Sequence, residues 1–86
     1  MTAPIAVEGE VLSLGRLKVN GGSPLVGMQV GGVEQRYNLS VVLLKRNSES
    51  DLHPSAELVL MESDALALLG GPTEISRIVN QNADHR

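Results

Sequence analysis

Along the first half of the chain, apolar and polar residues alternate with a period of two. From Ile5 to Val19 the odd positions carry Ile5, Val7, Val11, Leu17 and Val19, while Glu8, Glu10, Arg16 and Lys18 fall on even positions. One apolar face of a strand gives that pattern. Leu12 and Leu14 interrupt it by placing leucine on the charged face, and Gly15 beside them marks a candidate bulge or bend. A second alternation runs through Val26, Met28 and Val30. A third runs from Val33 through Tyr37, Leu39, Val41 and Leu43, where Val42 and Leu44 make the strand end apolar on both sides.

Gly21-Gly22 and Gly31-Gly32 separate these segments. A two-residue type I′ hairpin loop needs positive φ at both positions, which glycine adopts freely. Reading both pairs as hairpin loops sets Leu17 opposite Val26 and Val26 opposite Tyr37. A one-residue slip would turn each strand over, so the shared phase predicts a three-stranded antiparallel meander.

Residues 47–56 then read as a polar loop, and Glu57–Met61 as a short fourth strand. Ser63 or Asp64 is a candidate cap for a helix over 65–69 that stops at Gly70. A second helix starts at Pro72 or Thr73, with Ile75, Ile78 and Val79 on one side. The expected class is α+β: a meander of three to four strands with two short C-terminal helices on one face. A small, partly open β-barrel is the alternative. The whole chain, 1–86, reads as one domain, with 1–4 and 81–86 frayed.

Composition narrows the functions open to this fold. Ten valines, thirteen leucines and three isoleucines accompany a single aromatic, Tyr37, so the core is aliphatic. Without cysteine, disulfide scaffolds and thiolate zinc sites are excluded. Seven scattered basic residues against ten acidic ones argue against a nucleic-acid surface. No signal-peptide pattern is read at the N-terminus, and the longest apolar run, Val41–Leu44, is far shorter than a membrane span. The expected location is the cytoplasm.

No catalytic constellation emerges, and neither cofactor nor metal is expected. Glu8 and Glu10 share a strand face but have no third ligand nearby; His53 follows Asp51 by two residues in the polar loop. Both read as solvated polar groups. The leading expectation is a non-enzymatic protein-interaction module, a homo-oligomer or small subunit joined through sheet-edge and apolar-face contacts. Leu12, Leu14, Tyr37, Val42 and Leu44 are its candidate contact residues. The alternative is a small-ligand binder for a nucleotide or metabolite, with a pocket between sheet and helices or between protomers. Gly21, Gly22, Gly31 and Gly32 would line that pocket through their backbone.

Overall fold

The computed structural model describes residues 2–7 and 10–83. Its elements follow in the order β1 (Thr2–Val7), β2 (Glu10–Lys18), α1 (Val30–Tyr37), β3 (Ser40–Arg46), β4 (Glu49–Leu52), β5 (Ala65–Gly70) and α2 (Pro72–Gln81). The strands form one antiparallel sheet in the order β1-β2-β5-β3-β4. The α+β class expected from the sequence, an open antiparallel sheet with two helices, is the one found. Several elements within it differ from the expectation.

The long first strand is two strands. Register sets Ile5 across from Leu12 and Ala3 across from Leu14. An antiparallel reversal pairs odd positions with even ones, so Leu12 and Leu14 begin a second phase rather than breaking the first. Gly15 is no bulge. A Cβ there would lie 2.7 Å from Cγ2 of Ile75, so glycine lets α2 approach β2.

Neither glycine pair closes a hairpin. Gly21-Gly22 lies in a turn closed by the Ser23 N–H donating to the Asn20 carbonyl (3.0 Å), after which the chain turns again through Gly27. Gly31-Gly32 sits inside α1. There the spacing of Val30, Val33 and Tyr37, all buried, is helical and prevails over the alternation Val26, Met28, Val30. Two glycines cost a helix about 1 kcal/mol each relative to alanine, which hides its signal; packing of that face compensates. Asn38, left-handed at φ 56°, ends the helix. Tyr37 is therefore a helical core residue and does not face Val26 across a sheet.

The segment 65–69, expected as a helix, is the central strand β5. Leu66, Leu68 and Gly70 are buried while Ala65, Ala67 and Leu69 are half-buried, a period of two. Leucine and alanine favour helices intrinsically, but six residues are short for one, and flanking strands β2 and β3 complete the hydrogen bonding of β5. Glu57–Met61, expected as a strand, makes only an isolated bridge, Gln29 with Val59. Within the expected polar loop, β4 pairs with β3 through a tight hairpin. Asn47 (φ 52°) and Ser48 (φ 70°) supply its two positive-φ positions. Residues 2–4 lie in β1, and α2 starts at Pro72 as the sequence suggests.

Both helices pack on one face of the sheet. Leu17, Val41, Leu44, Leu66 and Leu68 face Val30, Val33, Tyr37, Ile75 and Ile78 in a single core. A bulge at Val42 lets both Val41 and Leu44 point into it, which defeats simple parity along β3. The other sheet face carries neither helix.

Candidate ligand-binding face

The open face follows from register. Across β2, β5 and β3 one row holds Leu14, Leu69 and Ser40. The next holds Arg16, Ala67 and Leu43, and the last holds Lys18, Ala65 and Lys45. Leu43 is followed on β4 by Leu52, which is 73% exposed. An apolar floor thus runs across four strands with cations at one end. A shallow cleft of about 440 Å³ lies there, lined chiefly by Arg16, Lys18, Leu43, Lys45, Ala65 and Ala67. No carboxylate lines it. In a chain of net charge −3, this is a local concentration of positive charge.

Three other clefts differ in chemistry. One of about 410 Å³ beneath β4 is lined by Leu44, Leu58, Arg46, Asn47, Glu49 and Asp51, among others. Its cation is already committed. Arg46 donates from Nε and Nη2 to the two carboxylate oxygens of Asp64, each at 2.7 Å, and from Nη2 to the Val59 carbonyl at 2.9 Å. Asp64 also accepts from the Met61 N–H at 2.8 Å. Burial alone would push the Asp64 carboxyl up, but the hydrogen bonds from Arg46 and Met61 and the guanidinium charge hold it below the usual carboxylate range. The pair ties the 58–64 segment to the end of β3 and is structural. A second cleft, also about 410 Å³, lies where β2, β5 and the start of β3 meet the helices; its charged groups are Glu34 and Glu74. A third, about 290 Å³, carries Arg36, Tyr37, Arg77 and Gln81. Of these four clefts, all among the described residues, the one on the open sheet face combines an apolar floor with three cations and no carboxylate.

Of the contact residues suggested by sequence, Leu12 (half-buried) and Leu14 (36% exposed) lie on this open face. Tyr37 and Leu44 are buried in the core at 3% exposure each, and Val42 is half-buried at the bulge. The structure does not gather Gly21, Gly22, Gly31 and Gly32 around any of these clefts. A Cβ on Gly31 would meet Ala56 at 2.9 Å, so that glycine serves packing of α1 against the 54–57 segment. His53 is exposed, and among the described residues no three His, Asp or Glu side chains group as metal ligands. Glu8 and His85 lie outside the described residues, as does the side chain of Glu10. Sequence reasoning missed Arg16, Lys18 and Lys45, because their convergence depends on β5 lying between β2 and β3.

Five antiparallel strands, with both helices on one face and the other face open, define a small two-layer α+β domain. The TrkA-C domain model matches residues 14–82, and the chain belongs to that family. A curated relative is the uncharacterized protein YrvC of Bacillus subtilis (strain 168), 31% identical over 67 residues. The match covers 74% of this chain and 41% of YrvC, so the chain spans about two-fifths of that protein's length. Among solved structures, the RCK_C domain dimer of S. agalactiae BusR in complex with c-di-AMP is similar at a TM-score of 0.71 and 15% identity. That match covers 80% of this chain and 93% of the BusR domain. The GsuK RCK domain matches at a TM-score of 0.68 and 25% identity, covering 99% of this chain and 18% of that one. Among the described residues no helix is long and apolar enough to cross a membrane.

Proposed function

We propose that this chain is a regulatory module that binds an anionic nucleotide on its open sheet face. The observation that carries the reading is an apolar floor flanked by Arg16, Lys18 and Lys45, with no carboxylate among the lining residues. A nucleotide presents a flat apolar base and a charged phosphate, and such a surface matches both. Membership of the TrkA-C family and likeness to a BusR domain in complex with c-di-AMP support the class of ligand. The reading assigns no catalytic step to the chain.

Protein contact through the same face is the second reading, resting on Leu12, Leu14 and the highly exposed Leu52. The face suits this better than the β4 edge. Antiparallel β4 pairing centred on Ser50 would set Glu49 of one copy against Asp51 of the other, and like charges directly opposite destabilise a ladder.

Thermal denaturation with c-di-AMP, ATP and NAD tests the ligand reading. A ligand at about 100 times its Kd adds about 2.7 kcal/mol. For a domain of this size that is a Tm rise of roughly 10–20 °C. The R16Q/K18Q/K45Q variant should lose the rise while staying folded. An equal rise in wild type and variant, or none with any of the three, would count against it.

A further inference from the structure

We propose that Asn20 is a deamidation site gated by Asn82, so that modification occurs when the end of α2 lifts and then prevents its return. The Asn20-Gly21 pair closes no hairpin, and the backbone does not demand its glycine: among the described glycines, the positive φ belongs to Gly27. Both residues are exposed, in the turn that follows β2. In an Asn-Gly pair no side chain beside the glycine nitrogen obstructs its attack on the asparagine amide. The Gly21 nitrogen bonds to Cγ of Asn20 and passes its proton, through water, to the departing nitrogen. The Cγ–Nδ2 bond breaks and ammonia leaves. Water then opens the cyclic imide at Cγ, leaving aspartate, or at the Asn20 main-chain carbonyl, leaving isoaspartate. Nothing is oxidised or reduced, and water is the sole co-reactant.

The leaving nitrogen is the one the fold holds. Nδ2 of Asn20 donates to the Asn82 carbonyl at 2.7 Å, and the Asn20 N–H donates to Oδ1 of Asn82 at 3.1 Å. Asn82, 7% exposed, donates from its own Nδ2 to the Lys18 carbonyl at 2.8 Å. Together these bonds tie the C-terminal end of α2 to the end of β2. Reaction must free the Asn20 amide from the Asn82 carbonyl, so it proceeds from the fraction of molecules in which the α2 end has opened. The product cannot rejoin. An aspartate or isoaspartate carboxylate has no hydrogen to donate, and its oxygen would face the Asn82 carbonyl oxygen. It also adds negative charge two residues from Lys18.

Incubation of the folded chain at mildly alkaline pH, followed by tryptic mass mapping, tests this. Cleavage after Lys18 and Arg36 leaves Asn20 as the one asparagine of its peptide. Asn82→Ala should convert at Asn20 at least about fivefold faster than wild type, because loss of its bonds raises the open fraction. Asn47, in the β3–β4 hairpin, should keep its rate. Gly21→Ala should suppress conversion at Asn20 in both backgrounds. The Glu62 carboxylate that its Cβ would meet at 2.9 Å ends an exposed side chain and can move aside. Asn20→Asp makes the modified state directly. It should raise hydrogen exchange at least about fivefold at the Asn82 N–H, which donates to the Ile78 carbonyl at 2.9 Å. No conversion at Asn20 in Asn82→Ala overturns the proposal. Equal rates in wild type and Asn82→Ala, or equal acceleration at Asn20 and Asn47, overturn the gate. Unchanged exchange at Asn82 in Asn20→Asp overturns the one-way release.

Discussion

Replacing Asp64 removes more than one interaction. The side chain is 1% exposed and accepts from Arg46 Nε, Arg46 Nη2 and the Met61 N–H at 2.7, 2.7 and 2.8 Å. Asp64→Ala leaves the guanidinium without its counter-ion and the Met61 N–H without its acceptor. Breaking a buried ion pair from one side costs about 3–5 kcal/mol. Arg46 is 31% exposed and can turn partly to water, which lowers the expected cost to about 2–3 kcal/mol. Asp64→Asn keeps an acceptor oxygen and should cost about half as much. The pH dependence follows the same geometry. The folded carboxyl titrates below its unfolded value, so its contribution is complete above about pH 4 and is lost as pH falls through the folded value. Urea denaturation at pH 7 and at successively lower pH measures both effects. Wild type should lose stability more steeply than Asp64→Asn below about pH 4. A cost under about 0.5 kcal/mol for Asp64→Ala, or parallel acid limbs for wild type and Asp64→Asn, would refute the reasoning.

Three further substitutions probe how the scaffold holds its open face. Gly15→Ala should destabilise by about 1–2 kcal/mol because its Cβ meets Ile75 Cγ2; Ile75→Ala in the same chain should remove that penalty, measured as coupling in a double-mutant cycle. Asn82 accepts from the Asn20 N–H (3.1 Å) and donates from Nδ2 to the Lys18 carbonyl (2.8 Å), so Asn82→Ala should cost about 1–2 kcal/mol in urea denaturation. Ser48 holds φ 70° in the β3–β4 hairpin, and Ser48→Gly should raise stability by about 0.5–1 kcal/mol, read as a higher melting temperature.

The sequence carried the class of fold and the composition of the core, because burial in small domains follows apolar content and periodicity directly. It carried α2, whose Pro72 start and Ile75–Ile78 spacing are local signals. Local signals misled where tertiary context prevailed. Alanine and leucine in 65–70 read as helix until flanked by β2 and β3, and a glycine pair in α1 read as a turn. The parity of Leu12 and Leu14 was informative but ambiguous. It recorded a second strand paired back on the first, and with it the position of the open face. The cationic cluster was not legible. Arg16 and Lys18 meet Lys45 only because β5, last in sequence among the strands, inserts between β2 and β3. No local pattern encodes that insertion.

Amide chemical-shift mapping of the ¹⁵N-labelled chain during titration with c-di-AMP tests the central claim most directly. The account predicts shifts concentrated on Arg16–Lys18, Leu43–Lys45 and Ala65–Ala67, abolished in R16Q/K18Q/K45Q. Shifts confined to the cleft of Arg36 and Arg77, or to the segment around Arg46 and Asn47, would contradict it.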